Sequence, residues 1–117
     1  MAGLMRWESV VFLHADILTF PGEDGGQSVP MTPGTGPGWY RLIHELCRRL
    51  EETPRPWPVC TDIKVDRSGR LCFYVDSATD EQWKIIELAE ELSEEICDDC
   101  GAMKDADVHC CSPKQYL

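Results

Sequence analysis

Val59-Cys60-Thr61-Asp62-Ile63-Lys64-Val65-Asp66, then Arg67-Ser68-Gly69, then Arg70-Leu71-Cys72-Phe73-Tyr74-Val75-Asp76 is the stretch that decides the fold. In the first run Val59, Thr61, Ile63 and Val65 alternate with Cys60, Asp62 and Lys64. In the second, Leu71, Phe73 and Val75 alternate with Cys72, Tyr74 and Asp76. A period of two places one set of side chains on a single strand face. Between the runs, Gly69 can take the positive φ that a tight turn needs. The stretch therefore predicts a β-hairpin, with Cys60 and Cys72 together on its less apolar side. A lone hairpin is marginal in water, so other elements must cover one face.

Helices on both sides supply that cover. In residues 39–53, Trp39, Leu42, Ile43, Leu46, Cys47 and Leu50 recur at three- and four-residue steps and share one helix face. Pro54, Pro56 and Pro58 end that helix. Cys47 reads as a packed thiol and His44 as a surface or boundary residue. In residues 79–96, Thr79 and Gln82 form a capping-box pattern, and Asp80 and Glu81 suit the positive end of a helix. Ile85, Leu88, Ala89, Leu92 and Ile96 form an apolar stripe, with Glu87, Glu90, Glu91 and Glu94 opposite and Trp83 among them. Trp83 reads as a contact anchor on an acidic face, or as a ring folded back on the N-terminal segment.

The predicted class is α+β, with a helix–β-hairpin–helix core over residues 39–96 in a single domain of 117 residues. In the N-terminal segment, residues 1–20, Val10-Val11-Phe12-Leu13 favours an additional strand. Residues 21–38 hold four Pro and six Gly and read as a loop. Within it, Gly34-Thr35-Gly36-Pro37-Gly38 lacks the Lys-Ser/Thr of a phosphate-binding loop. Residues 97–117 are a Cys-rich tail with a zinc-knuckle-like start.

The formal net charge is −10. It is concentrated: residues 76–107 carry twelve acidic side chains against Lys84 and Lys104, while residues 1–75 are nearly neutral. Such a chain is not built to grip nucleic acid or an anionic membrane through a basic face. An acidic run is ordinarily a solvated surface, and it also suits docking on a basic partner. No secretory signal is evident, because Glu8, His14 and Asp16 interrupt the short apolar run after Arg6. The expected location is the cytoplasm, where thiols stay reduced.

Seven Cys in such a compartment point to metal ligands and packed thiols rather than disulfides. Cys97-Asp98-Asp99-Cys100-Gly101 is a Cys-x-x-Cys-Gly turn, which suits two thiolates on one tetrahedral ion. His109, Cys110 and Cys111 follow as further candidate ligands of a structural zinc. The set closes with three thiolates and an imidazole or with four thiolates, and neighbouring Cys110 and Cys111 do not readily share one ion. A redox role fits less well, since the motif closes a helix instead of opening one. No Ser-His-Asp, paired-carboxylate or His-Glu-x-x-His arrangement stands out, so no enzyme is expected.

Residues 38–101 resemble a group of small proteins of tailed phages and prophages. The matching pieces are Gly38-Trp39-Tyr40-Arg41-Leu42-Ile43-His44-Glu45-Leu46-Cys47, the hairpin runs Ile63-Lys64-Val65-Asp66 and Leu71-Cys72-Phe73-Tyr74-Val75, and Ile96-Cys97-Asp98-Asp99-Cys100-Gly101. Members of the group usually carry a second Cys-containing knuckle, from which His109-Cys110-Cys111-Ser112-Pro113 departs. In size and charge the chain is also similar to anti-CRISPR proteins that mimic DNA. With the charge segregated into residues 76–107, this likeness leads to the expectation of a host-cytoplasmic inhibitor of a defence complex, with Trp83, Glu87, Glu90, Glu91, Glu94 and Asp98 meeting the basic surface of a host protein or nucleoprotein complex. The other expectation is a zinc-stabilised phage adaptor or regulatory module without mimicry.

Overall fold

The computed structural model describes residues 5–21 and 28–102. In chain order the elements are helices α1 (Trp7–Leu13) and α2 (Ala15–Leu18), strands β1 (Thr19–Pro21) and β2 (Ser28–Pro30), a 3-10 turn (Pro37–Trp39), helix α3 (Tyr40–Glu51), strands β3 (Cys60–Val65) and β4 (Leu71–Val75), and helix α4 (Asp80–Ser93). The class is α+β, with two separate two-stranded antiparallel sheets, β1–β2 and β3–β4.

The predicted hairpin forms, with Ile63 opposite Phe73 and Val65 opposite Leu71. Asp66 organises its turn: Oδ1 accepts from the Ser68 and Arg70 amides at 2.8 and 3.0 Å. Gly69 sits at φ +89°, as expected of a residue leaving that turn. One feature departs from simple alternation. The register shifts between Cys60 and Asp62, so Thr61 is an extra residue. The bulge turns Cys60 into the core beside Ile63, while Cys72 stays on the outer side opposite Lys64. The two thiols are thus not on one face, because strict period-two counting fails across a bulge.

The core gathers Ile17, Leu18, Trp39, Ile43, Leu46, Leu50, Ile63, Leu71, Phe73 and Ile86 into one cluster. The α3 stripe is the face the sequence predicts, with Ile43, Leu46, Cys47 and Leu50 buried. The N-terminal expectation is corrected: residues 10–13 lie in helix α1, not in a strand. Val10, His14, Ile17 and Leu18 are the buried positions, which is helical spacing, and Phe12 is left 83% exposed. Burial of that face outweighs the β propensity of the Val-Val-Phe run. The 21–38 loop also holds ordered pieces, β2 and a parallel bridge from Gly34 to Lys64 on the outer edge of β3.

Helix α4 begins with the predicted capping box, both of its hydrogen bonds being present. Its buried side is Gln82, Ile86, Ala89 and Ser93, about 70° around the helix from the centre of the apolar stripe. The reason is polar. Strand β4 is the open edge of a two-stranded sheet, and α4 covers it. The Leu71 amide donates to Ser93 Oγ at 2.9 Å, and the Phe73 amide donates to Glu90 Oε2 at 2.9 Å. At the other end Gln82 Nε2 donates to Thr53 Oγ1 at 3.0 Å and to the Pro56 carbonyl at 3.1 Å. Leu88 and Leu92 are consequently rotated outward, 46% and 43% exposed. No helix among the described residues is long and apolar enough to cross a membrane.

Candidate functional site

The acidic helix and the knuckle meet at the C-terminal end of α4. Trp39, fully buried at the start of α3, donates from its indole Nε1 to the Ile96 carbonyl at 2.8 Å. One residue earlier, the Gly38 amide donates to the Asp98 carbonyl at 2.7 Å. A Cβ at Gly38 would collide with the Cys97 carbonyl, and one at Gly36 with that of Asp98. The glycines of the failed phosphate-loop pattern therefore serve close backbone approach to the knuckle. Within the knuckle, the Gly101 amide donates to the Cys97 carbonyl at 2.8 Å, and Gly101 takes φ +83°. That is the turn role expected of a glycine after the second cysteine.

The donor atoms that converge are those of Cys97, Asp98 and Asp99, all within 4.8 Å of one another, and this group could hold a metal ion. A thiolate with two carboxylates lies within the donor range of zinc, which usually takes four ligands in a structural site. Cys100 belongs to the same turn. His109, Cys110 and Cys111, the other expected ligands, lie outside the described residues.

The acidic face separates into two groups. Glu90 and Glu94 are engaged within the fold, Glu90 with the Phe73 amide and Glu94 with Arg70 Nη1 at 3.0 Å. The Glu90 carboxyl is shifted upward, chiefly by loss of water around it. It is therefore a half-buried cap on β4, not the wholly wet carboxylate that the helix wheel suggests. Glu87 and Glu91 are exposed, and Trp83 beside them is 40% exposed. Asp98 is half-buried at the end of this surface and Asp99 exposed.

A third cluster escapes the sequence reading. His14, buried at the junction of α1 and α2, has Nδ1 2.8 Å from Glu51 Oε2 and Nε2 2.7 Å from His44 Nδ1. His44 and Glu51 both come from α3. A single proton can occupy the contact between the two imidazole nitrogens, one ring donating and the other accepting. The His44 pKa is held below its ordinary value by burial first and by His14 second. The three groups form a line and do not converge on one point, so they serve as a polar clamp between the N-terminal helices and α3. The one available signal is the helical spacing of His44 and Glu51, which puts them on one side of α3.

Comparison with known proteins gives no matching family model, no matching curated protein and no matching solved structure.

Proposed function

We propose that this chain is a non-enzymatic inhibitor of a host defence complex, of the anti-CRISPR kind, acting in the host cytoplasm. It would compete with nucleic acid for a basic site by presenting carboxylates in place of phosphates. The observation that carries this reading is the placement of nearly all the excess charge in residues 76–107, which include one helix with an exposed aromatic ring among its carboxylates. Trp83 would anchor the contact, Glu87 and Glu91 would take the phosphate positions, and Asp98 would extend the surface. Glu90 and Glu94 would contribute field rather than direct contact, since Phe73 and Arg70 engage them. The test is to capture the host complex on the immobilised chain and measure its nucleic-acid binding. Recovery of nucleic-acid binding on Trp83→Ala/Glu87→Gln/Glu91→Gln substitution is the expected result. Undiminished inhibition by that triple variant would overturn the reading.

A second reading, a zinc-stabilised adaptor without mimicry, is favoured by the convergence of Cys97, Asp98 and Asp99. Metal analysis of protein purified without chelator, beside Cys97→Ser and Cys100→Ser variants, tests it. Stoichiometric zinc lost in both variants supports it, and metal-free protein overturns it.

A further inference from the structure

We propose that the Glu51–His14–His44 line is an acid-opened joint, at which full protonation of the two imidazoles releases helices α1 and α2 from α3. His14 is placed to act as such a joint. Its amide closes α1 on the Val10 carbonyl at 3.1 Å, and its carbonyl accepts the first amides of α2, Ile17 at 3.0 Å and Leu18 at 2.9 Å. Its buried side chain reaches across to Glu51 and His44 of α3. Among the described residues these two contacts are the only side-chain hydrogen bonds from α1 or α2 to α3.

Counting hydrogens shows why acid opens it. Ionised Glu51 accepts the hydrogen of His14 Nδ1, a second hydrogen lies in the 2.7 Å contact between the rings, and His44 Nε2 has room for a third. The closed line thus holds one proton more than two neutral imidazoles, and Glu51 offsets its charge. A fourth hydrogen puts an N–H on each side of the 2.7 Å contact and leaves no acceptor there. The surroundings give no relief. Beside His44, Arg41 and Arg48 add positive charge, and Arg48 already holds Glu45 and Glu52 at 3.0 Å. Glu8 of α1 pairs with Arg6, and Asp16 of α2 with Arg55. Were His44 alone to swing outward, buried cationic His14 would keep an N–H without an acceptor, so the joint gives way at His14 as well. The fourth proton therefore binds the opened form, and acid draws the equilibrium toward it.

His44, Cys47 and Glu51 share one face of α3, so His14, which bridges the outer two, lies over the fully buried Cys47. Opening uncovers that thiol, and the single turn of α2 does not hold its own hydrogen bonds once off the core. The test is amide hydrogen exchange of the full chain from about pH 7 to about pH 5, with the intrinsic pH dependence of exchange divided out. Protection of the Ile17 and Leu18 amides should fall by up to about tenfold per pH unit, one proton being taken up on opening, while β3, β4 and α4 keep theirs. Labelling of Cys47 by a dipyridyl disulfide should rise in parallel, relative to a free thiol under the same conditions. His44→Gln, at a partly exposed position, keeps a partner for His14 but takes no proton, and should abolish both acid responses. Unchanged protection at residues 14–18 would overturn the proposal, as would a loss shared equally by every element. An acid response that His44→Gln leaves intact would overturn it too.

Discussion

The backbone amide of Phe73 donates to Glu90 Oε2 at 2.9 Å, so a carboxylate of the acidic helix closes the open edge of the hairpin. An acidic residue that sequence alone assigns to solvent is thereby part of the fold. Glu90→Ala leaves a buried strand amide without its acceptor and should cost about 1 kcal/mol. Glu90→Gln keeps an acceptor and should fold at least as well as the parent at neutral pH. The carboxyl's raised pKa fixes the pH trend. Its stabilising contribution is full below the unfolded value of about 4.3 and is lost as pH rises through the folded value. Urea denaturation of the parent and both variants at acid and neutral pH checks the order.

Gly38 is the second sensitive point, because a Cβ there meets the Cys97 carbonyl rather than a flexible side chain. Gly38→Ala should destabilise by roughly 1–3 kcal/mol, the usual cost of forcing atoms into a packed site. It should also disturb the Trp39–Ile96 hydrogen bond, seen as a shift in tryptophan fluorescence. Gly69→Ala should cost about 1–2 kcal/mol through its positive φ, with that fluorescence unchanged.

The His14–His44–Glu51 line predicts sensitivity to mild acid. Burial is the largest cause of the lowered His44 pKa; His14, Arg41 and Arg48 lower it further, and Glu45 opposes them. Folding therefore favours neutral His44. The associated stability is present above the unfolded value of about 6.5 and is lost as pH falls through the folded value. The urea midpoint should drop as pH is lowered from about 7 toward about 5, the range over which an ordinary imidazole gains its proton. His44→Gln should flatten that slope. A slope unchanged in His44→Gln would remove the clamp from the explanation.

The hairpin turn, the α3 stripe and the Thr79–Gln82 cap are legible in the sequence because each depends on residues close in the chain. The rest depends on distant partners. Nothing near Thr61 marks it as the extra residue that turns Cys60 inward. The burial of Gln82 and Ser93 ahead of Leu88 and Leu92 follows from the edge amide of Leu71, which Ser93 Oγ satisfies, and from the Thr53–Pro56 segment, which no periodicity contains. His14 and His44 meet only once α1 lies on α3. At the candidate site, the knuckle glycine is legible, while the division of the glutamates between strand capping and open surface is not.

The most direct measurement is the affinity of the chain for the captured host complex between about 0.1 M and about 1 M salt, over which the Debye length falls from about 10 Å to about 3 Å. Docking through Trp83, Glu87 and Glu91 on a basic nucleic-acid site predicts affinity that falls steeply with salt and a bound chain that nucleic acid displaces. An affinity that is constant across that range, with nucleic acid and the chain bound together, would contradict it.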